Sequence, residues 1–367
     1  MKKTVLYEKH LSLKAKIAPF GGYEMPVQYE GIIKEHNAAR TGTVIFDTCH
    51  MGEFKISGDS AVSDLERILS CDVADIKTDA CRYGFLCNGN GGVIDDQILY
   101  RISESEFMMV VNASTEEGDF EWIKSQISEN TKVENISAQT AKIDLQGPLS
   151  PKIAALILQD SITELKFYNF AYNYYKDTRV LVSRTGYTGE MGFEIYSPAE
   201  TASLLWDDCI SKGAVPAGIG ARDTLRLEIG FPLYGHELSI DRNAIQSGFN
   251  RAISQKKVFI GSSAVFAPSA DNQILVGITL DGRRSAREGD MVLNKSGQEA
   301  GIITSASFSP TLGYAIALGY VNKEYSQPET LLKIISGKNE FSGKVSRLPF
   351  YKNATARSDI KLMIGMS

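Results

Sequence analysis

Arg82-Tyr-Gly-Phe-Leu-Cys-Asn-Gly-Asn-Gly-Gly-Val-Ile-Asp-Asp-Gln-Ile-Leu-Tyr-Arg101 reads as a β-hairpin. Two β-prone runs flank Asn88-Gly89-Asn90-Gly91-Gly92, and Asn and Gly accept the positive φ that such a turn requires. Side chains alternate along the second strand, so Val93, Asp95, Gln97 and Leu99 share one face. Ile94, Asp96, Ile98 and Tyr100 share the other. The pattern predicts that Asp95 lies on the more polar, solvated side and Asp96 on an apolar, buried one. An ionised carboxylate on such a face is costly unless it is paired. Two readings stand at this point: a strand-end aspartate bound to a backbone turn, or a carboxylate aimed into a ligand pocket. The second makes Asp96 the first candidate for chemistry. Neighbours on a strand point apart, so the two acids do not form a glycosidase pair.

Working outward, 367 residues exceed one small core and imply two or three domains. Lys plus Arg number 39 against 44 Asp plus Glu, a net charge of −5. That balance gives no general attraction to nucleic acid or anionic membranes. The start, Met1-Lys-Lys-Thr-Val-Leu-Tyr-Glu8, is not a continuous apolar stretch, and no run has the length of a membrane span. The five cysteines (Cys49, Cys71, Cys81, Cys87, Cys209) are scattered without a Cys-x-x-Cys, and the histidines lie far apart. Neither a disulfide framework nor a metal site is expected, and the chain reads as cytoplasmic with reduced thiols.

Towards the N-terminus, Pro19-Phe-Gly-Gly-Tyr-Glu-Met-Pro26 reads as loop. A helix is predicted over 32–40, strands over 44–47 and 53–58, and a helix over 61–69. Beyond the hairpin come a strand over 107–112, with Asn112 at its exit, and a helix over 115–127 with Thr115 as N-cap. His50, alone between two strands, reads as structural. Further on, strands over 141–147, 179–186 and 192–196 alternate with helices over 150–158 and 201–211. Glu194 and Tyr196 share a face opposite Phe193 and Ile195. Gly218-x-Gly220 lacks the third glycine of a dinucleotide fingerprint, because residue 223 is Asp. Arg222 and Arg226, four apart, share a helical face. Arg222 falls in the first turn, where the dipole disfavours a cation, so an anion should compensate it; a salt bridge to a neighbouring acid and a planar ligand are both open. From residue 274 short strands separated by turns indicate a small antiparallel barrel or jelly roll. Arg283, Arg284 and Arg287 form a basic loop that reads as solvated.

Several stretches taken together resemble the glycine cleavage system T-protein family. They are Pro19-Phe-Gly-Gly-Tyr-Glu-Met-Pro26, Phe46-Asp-Thr-Cys-His-Met-Gly52, Gly91-Gly-Val-Ile-Asp-Asp96, Asp144-Leu-Gln-Gly-Pro148 and Thr185-Gly-Tyr-Thr-Gly-Glu190, then Gly220-Ala-Arg-Asp-Thr-Leu-Arg-Leu-Glu228, Tyr234-Gly-His-Glu237 and Phe308-Ser-Pro-Thr-Leu-Gly-Tyr314. The resemblance implies an α+β fold of three domains in a cloverleaf around a central folate pocket. Those domains are expected at 1–50 plus 138–270, at 51–137, and at 271–367 for the C-terminal β-barrel. It also implies a tetrahydrofolate-dependent aminomethyltransferase that releases ammonia from an aminomethyl-dihydrolipoyl carrier protein (the H-protein) and forms 5,10-methylenetetrahydrofolate. Asp96 matches the family's catalytic aspartate, and Glu194 and Arg222 match positions that hold the pterin. Met51, Tyr83, Tyr100, Asn112, Tyr168, Tyr187 and Tyr234 match positions around the cofactor. The sequence departs from the family at Cys49, where serine is usual, at Arg251, where tryptophan is common, and in its tail. Two alternatives follow: a folate-dependent demethylase with a small-molecule donor, and a folate-binding accessory protein without turnover.

Overall fold

The computed structural model describes residues 1–267 and 272–365. The expected boundary between residues 270 and 271 lies outside the described residues. Three β-structures dominate the chain. A five-stranded antiparallel sheet runs in the order Cys81–Cys87, Val93–Arg101, Glu106–Val111, Gly52–Ser57, Lys132–Asn135. The predicted hairpin is its edge pair, with Phe85 opposite Asp96 and a bulge between Leu86 and Cys87. The helices Ala61–Ile68 and Glu116–Gln126 cover one face, burying Phe54, Leu65, Leu99, Phe107 and Ile123 in a common core.

A six-stranded sheet combines Phe170–Tyr175, Thr178–Ser183, Gly192–Pro198, Thr140–Gln146, Val44–Asp47 and Val215–Pro216, with the last pair parallel. Ile45, Ile143, Leu145, Phe193 and Ile195 point to one side and pack with the helices Ser150–Ile157 and Ala202–Ser211 around Trp206. Lys142, Asp144, Glu194 and Tyr196 therefore share the opposite side. That side faces the uncovered face of the five-stranded sheet. Tyr100, Met108 and Val110 from one sheet meet Phe170, Leu181 and Tyr196 from the other in a single buried cluster.

The C-terminal strands Gln273–Leu280, Ala315–Asn322, Glu299–Phe308, Met291–Leu293, Leu331–Ser336 and Asn339–Ser346 close into a barrel. The barrel packs through Leu275, Ile316, Leu318 and Tyr320 on Leu227 of the helix Ile219–Ile229. Polar ties reinforce this contact. Arg226 reaches Ser305 at 2.8 Å, His36 meets Thr311 at 2.8 Å, and Ser309 donates to Glu228 at 2.5 Å.

Three expectations are corrected. Residues 19–26 are not loop: Lys16–Phe20 and Tyr23–Gln28 form a hairpin turned at Gly21 (φ 55) and Gly22 (φ 84). Pro19 and Pro26 are tolerated because this two-stranded ribbon needs no continuous ladder. Thr115 holds the position before the helix Glu116–Gln126, but its hydroxyl donates to the Asn112 carbonyl at 3.1 Å and caps no backbone N–H. Asp95 is not solvated. Its face is the one covered by helices, and it is fully buried, whereas Asp96 is half-buried.

Candidate active site

The face alternation along Val93–Arg101 sends Asp96, Ile98 and Tyr100 towards the space between the two sheets. Asp96 is held on both oxygens. Tyr83 donates to Oδ2 at 2.9 Å, and Asn112 Nδ2 donates to Oδ1 at 2.9 Å. The same Asn112 nitrogen donates to Asp95 Oδ1 at 2.8 Å, and the Asn112 backbone N–H donates to Asp95 Oδ2 at 2.9 Å. Burial, and then the negative charge of Asp95, push the Asp96 carboxyl up to about 7; its two hydrogen bonds only partly offset them. A half-buried carboxyl poised at neutral pH suits proton handling or stabilisation of developing positive charge.

Aromatic rings surround it. Tyr83 packs edge-on against Phe85 and Phe249, at 5.5 and 6.3 Å between centroids. Tyr168 takes a left-handed backbone (φ 63), a strained state for a non-glycine residue, and, like Met51 and Ile98, packs against the buried cluster of Tyr100, Phe170 and Tyr196. Tyr187 stacks on Phe231 at 5.7 Å, and its hydroxyl donates to the Pro232 carbonyl. Tyr234 packs against the Tyr83, Phe85 and Val93 cluster. Burial raises the phenols of Tyr83, Tyr168, Tyr187 and Tyr234, and the Asp96 charge adds to each shift. Of the four, Tyr83 is the one that hydrogen-bonds Asp96 directly.

The opposite wall is ionic. Arg222, in the first turn of its helix, reaches Asp144 Oδ2 at 2.6 Å, so the neighbouring acid does compensate it. Its guanidinium also lies over the Tyr187 ring at 4.9 Å. Asp144 Oδ1 accepts from Lys142 Nζ at 2.8 Å, and Lys142 reaches Glu194 Oε1 at 2.7 Å. The other Glu194 oxygen accepts from Thr185 at 2.5 Å and from Tyr100 at 3.2 Å. Tyr100 is fully buried, so it contributes by holding Glu194 and not by presenting its own ring. Burial works to raise the Asp144 carboxyl, but Lys142 and Arg222 outweigh it and hold it below the usual range. Lys142, Asp144 and Thr185 were missing from the sequence-based candidate set. For Lys142 and Asp144 the signal was alternation within Ala141–Gln146, where polar side chains occupy the face of a strand whose other side is core.

Other candidates are inert. His50 is buried against Phe20 and Tyr23, and burial lowers its imidazole to about 4, so it is neutral. Burial raises all five thiols, among them Cys71 to about 11 and Cys87 to about 12, which leaves no poised thiolate. Arg251 is exposed, as are Arg283, Arg284 and Arg287. Two open clefts, of about 630 and 870 Å³, lie beside Arg284–Arg287 and beside Glu30–Asn37, and no site residue lines either.

Known proteins resemble this chain over nearly its whole length. The family model for the GCVT N-terminal domain matches residues 6–257, and that for the glycine cleavage T-protein C-terminal barrel domain matches 274–352. The chain is 38% identical over 359 residues to an aminomethyltransferase of Desulforamulus reducens, covering 96% of this chain and 98% of the relative. It is 40% identical over 364 residues to that of Thermotoga maritima, covering 97% and 100%. The crystal structure of the glycine cleavage system aminomethyltransferase T from Bartonella henselae superposes with a TM-score of 0.90 at 30% identity, over 96% of this chain and 99% of that one. Sequence and overall fold thus agree in assigning the chain to the glycine cleavage T-protein family of aminomethyltransferases.

Proposed function

We propose that this aminomethyltransferase binds tetrahydrofolate between the facing sides of the two sheets and takes its one-carbon unit from a lipoyl carrier protein. The observation that carries the reading is Asp96, fixed by Tyr83 and Asn112 on the half-buried face that looks towards Glu194 and Arg222. The residues fit a reduced pterin with an aryl amine. Glu194 offers a carboxylate acceptor for ring N–H and amino groups, Arg222 offers planar donors, and Tyr83, Tyr168 and Tyr187 offer flat apolar surface. Met51 and Tyr234 complete the walls, while Tyr100 and Asn112 hold Glu194 and Asp96 in place. Bound tetrahydrofolate supplies the two amine nitrogens, N5 and N10, that accept the carbon.

The overall exchange converts a carrier thioether bearing an aminomethyl group into free thiol, ammonia and 5,10-methylenetetrahydrofolate. Loss of ammonia develops positive charge at the transferred carbon, and the Asp96 carboxylate stabilises that charge where water is scarce. Asp96 also aligns N10 by accepting its hydrogen. We assign this work to domains at 1–50 plus 138–270 and at 51–137, with the third at 271–367, and place the reaction in the cytoplasm.

The test is formation of methylenetetrahydrofolate from aminomethylated lipoyl carrier. Product that depends on the carrier and on Asp96 supports the reading. Turnover with a small methylamine or methylthio donor in place of the carrier identifies a demethylase instead. Folate binding with no turnover on any donor identifies an accessory protein.

A further inference from the structure

Behind Asp96 lies a second acidic group that the reaction does not use directly. Asp119, in the helix Glu116–Gln126, is 1% exposed and its carboxyl oxygens lack a regular hydrogen-bond partner, the neighbouring Thr115 hydroxyl donating instead to the Asn112 carbonyl at 3.1 Å. Its carboxyl lies within hydrogen-bonding reach of Asp95, which is itself fully buried. Two carboxylates facing one another away from water cannot both stay ionised, because each raises the cost of charging the other. One proton placed between them removes the repulsion and gives both acids a partner.

We propose that Asp119 is a neutral acid that donates its proton to Asp95, and that this buried pair positions Asp96 through Asn112. The chain of contacts is continuous. Asp119 hands a hydrogen bond to Asp95, and Asp95 accepts from the Asn112 backbone at 2.9 Å and from its side chain at 2.8 Å. The same side chain reaches Asp96 Oδ1 at 2.9 Å. With a proton at Asp119 the pair carries one negative charge, enough to orient the Asn112 amide without filling the site with carboxylate charge. The groups facing the pair are Asp96, Thr115, Asn112 and Tyr234. Burial, followed by the Asp95 charge, pushes Asp119 up to about 10, in keeping with the protonated form at neutral pH.

The positioning half rests on the role given to Asp96 above, and the proton itself is tested without turnover. Infrared spectra recorded well above the Asp96 midpoint should show a protonated-carboxyl stretch that Asp119→Asn abolishes. In the same variant the acid limb of the rate profile should stay in place, since a neutral amide replaces a neutral acid. A limb moved to lower pH, with no carboxyl band lost, means that both acids are ionised and overturns the proposal. Asp119→Ala should lower kcat by about tenfold to a hundredfold with little change in KM for folate, and Asp119→Asn should recover most of that loss. Wild-type kcat in folded Asp119→Ala overturns the positioning role. Should Asp119→Ala fail to fold, the Asn variant still decides the proton. A band lost in an enzyme whose turnover does not depend on Asp96 upholds the proton while removing the assigned chemistry.

Discussion

The Tyr83 phenol donates to Asp96 Oδ2 at 2.9 Å, and this bond opposes the burial that drives Asp96 towards its neutral form. A donor to the ionised state favours that state. Tyr83→Phe should therefore raise the Asp96 midpoint above about 7 by roughly one to two pH units, given ~1.5–3 kcal/mol for a bond to a charged group. Rate–pH profiles would show the acid limb displaced upward; a limb that stays put, or falls, contradicts the contact.

Asp96→Asn should fold and keep most of its folate affinity while losing about 10²–10⁴-fold in turnover. In the wild-type protein the rate should rise with pH through about 7, because the carboxylate is the working form. Near-normal turnover in Asp96→Asn would remove the electrostatic role. Single-turnover kinetics with aminomethylated carrier read it directly.

Lys142 is shared between two buried acids, Asp144 at 2.8 Å and Glu194 at 2.7 Å. Lys142→Met leaves Glu194 without its cation and should cost about 3–5 kcal/mol of unfolding free energy. Adding Glu194→Gln should restore much of this, since the orphaned charge is gone. Urea titrations of the single and double variants check both statements.

Glu228 ties the barrel to the helix below it, meeting Arg40 at 2.7 Å and Ser309 at 2.5 Å. Burial works to raise its carboxyl, but His36, Arg40 and Ser309 outweigh that and hold it at about 2. A lowered folded-state value stabilises above the unfolded value of 4.5 and is lost as pH falls through about 2. The loss should reach about 3 kcal/mol over that window. Glu228→Gln should flatten the dependence of unfolding free energy on pH; an unchanged slope assigns the acid lability to another group.

At the tip of the hairpin, a Cβ added to Gly92 would sit 1.8 Å from the Ile240 carbonyl. Backbone cannot yield at that distance, so Gly92→Ala should destabilise by more than about 2 kcal/mol and reduce activity with it. Thermal melts give the first quantity. A melting temperature unchanged from wild type would mean that the 238–244 segment moves freely.

The elements whose patterning is local were legible. Alternation around an Asn/Gly turn located the central hairpin, short turn-separated strands from residue 274 anticipated the barrel, and dipole reasoning at Arg222 anticipated a compensating anion. What escaped depends on which side of a sheet is covered. Asp95 and Asp96 differ only in face, and the helices that bury Asp95 lie elsewhere in sequence. Lys142 and Asp144 alternate like a solvated strand but look into the space between two sheets. Phe170–Tyr175 was not predicted because it is an edge strand whose Tyr172 and Tyr174 stay exposed. No local period carries such information.

The roof over the hairpin tip has a further consequence. Val93 donates to the Ser239 carbonyl and Ala244 to the Gly91 carbonyl, so a turn that would ordinarily project into water is stitched down by main chain from afar. Surface turns generally accept extra residues, tags and loop grafts; this one has no slack for them. Natural or engineered length variation in this enzyme should concentrate at other connections, and the spacing from Cys87 to Asp96 should behave as a fixed ruler.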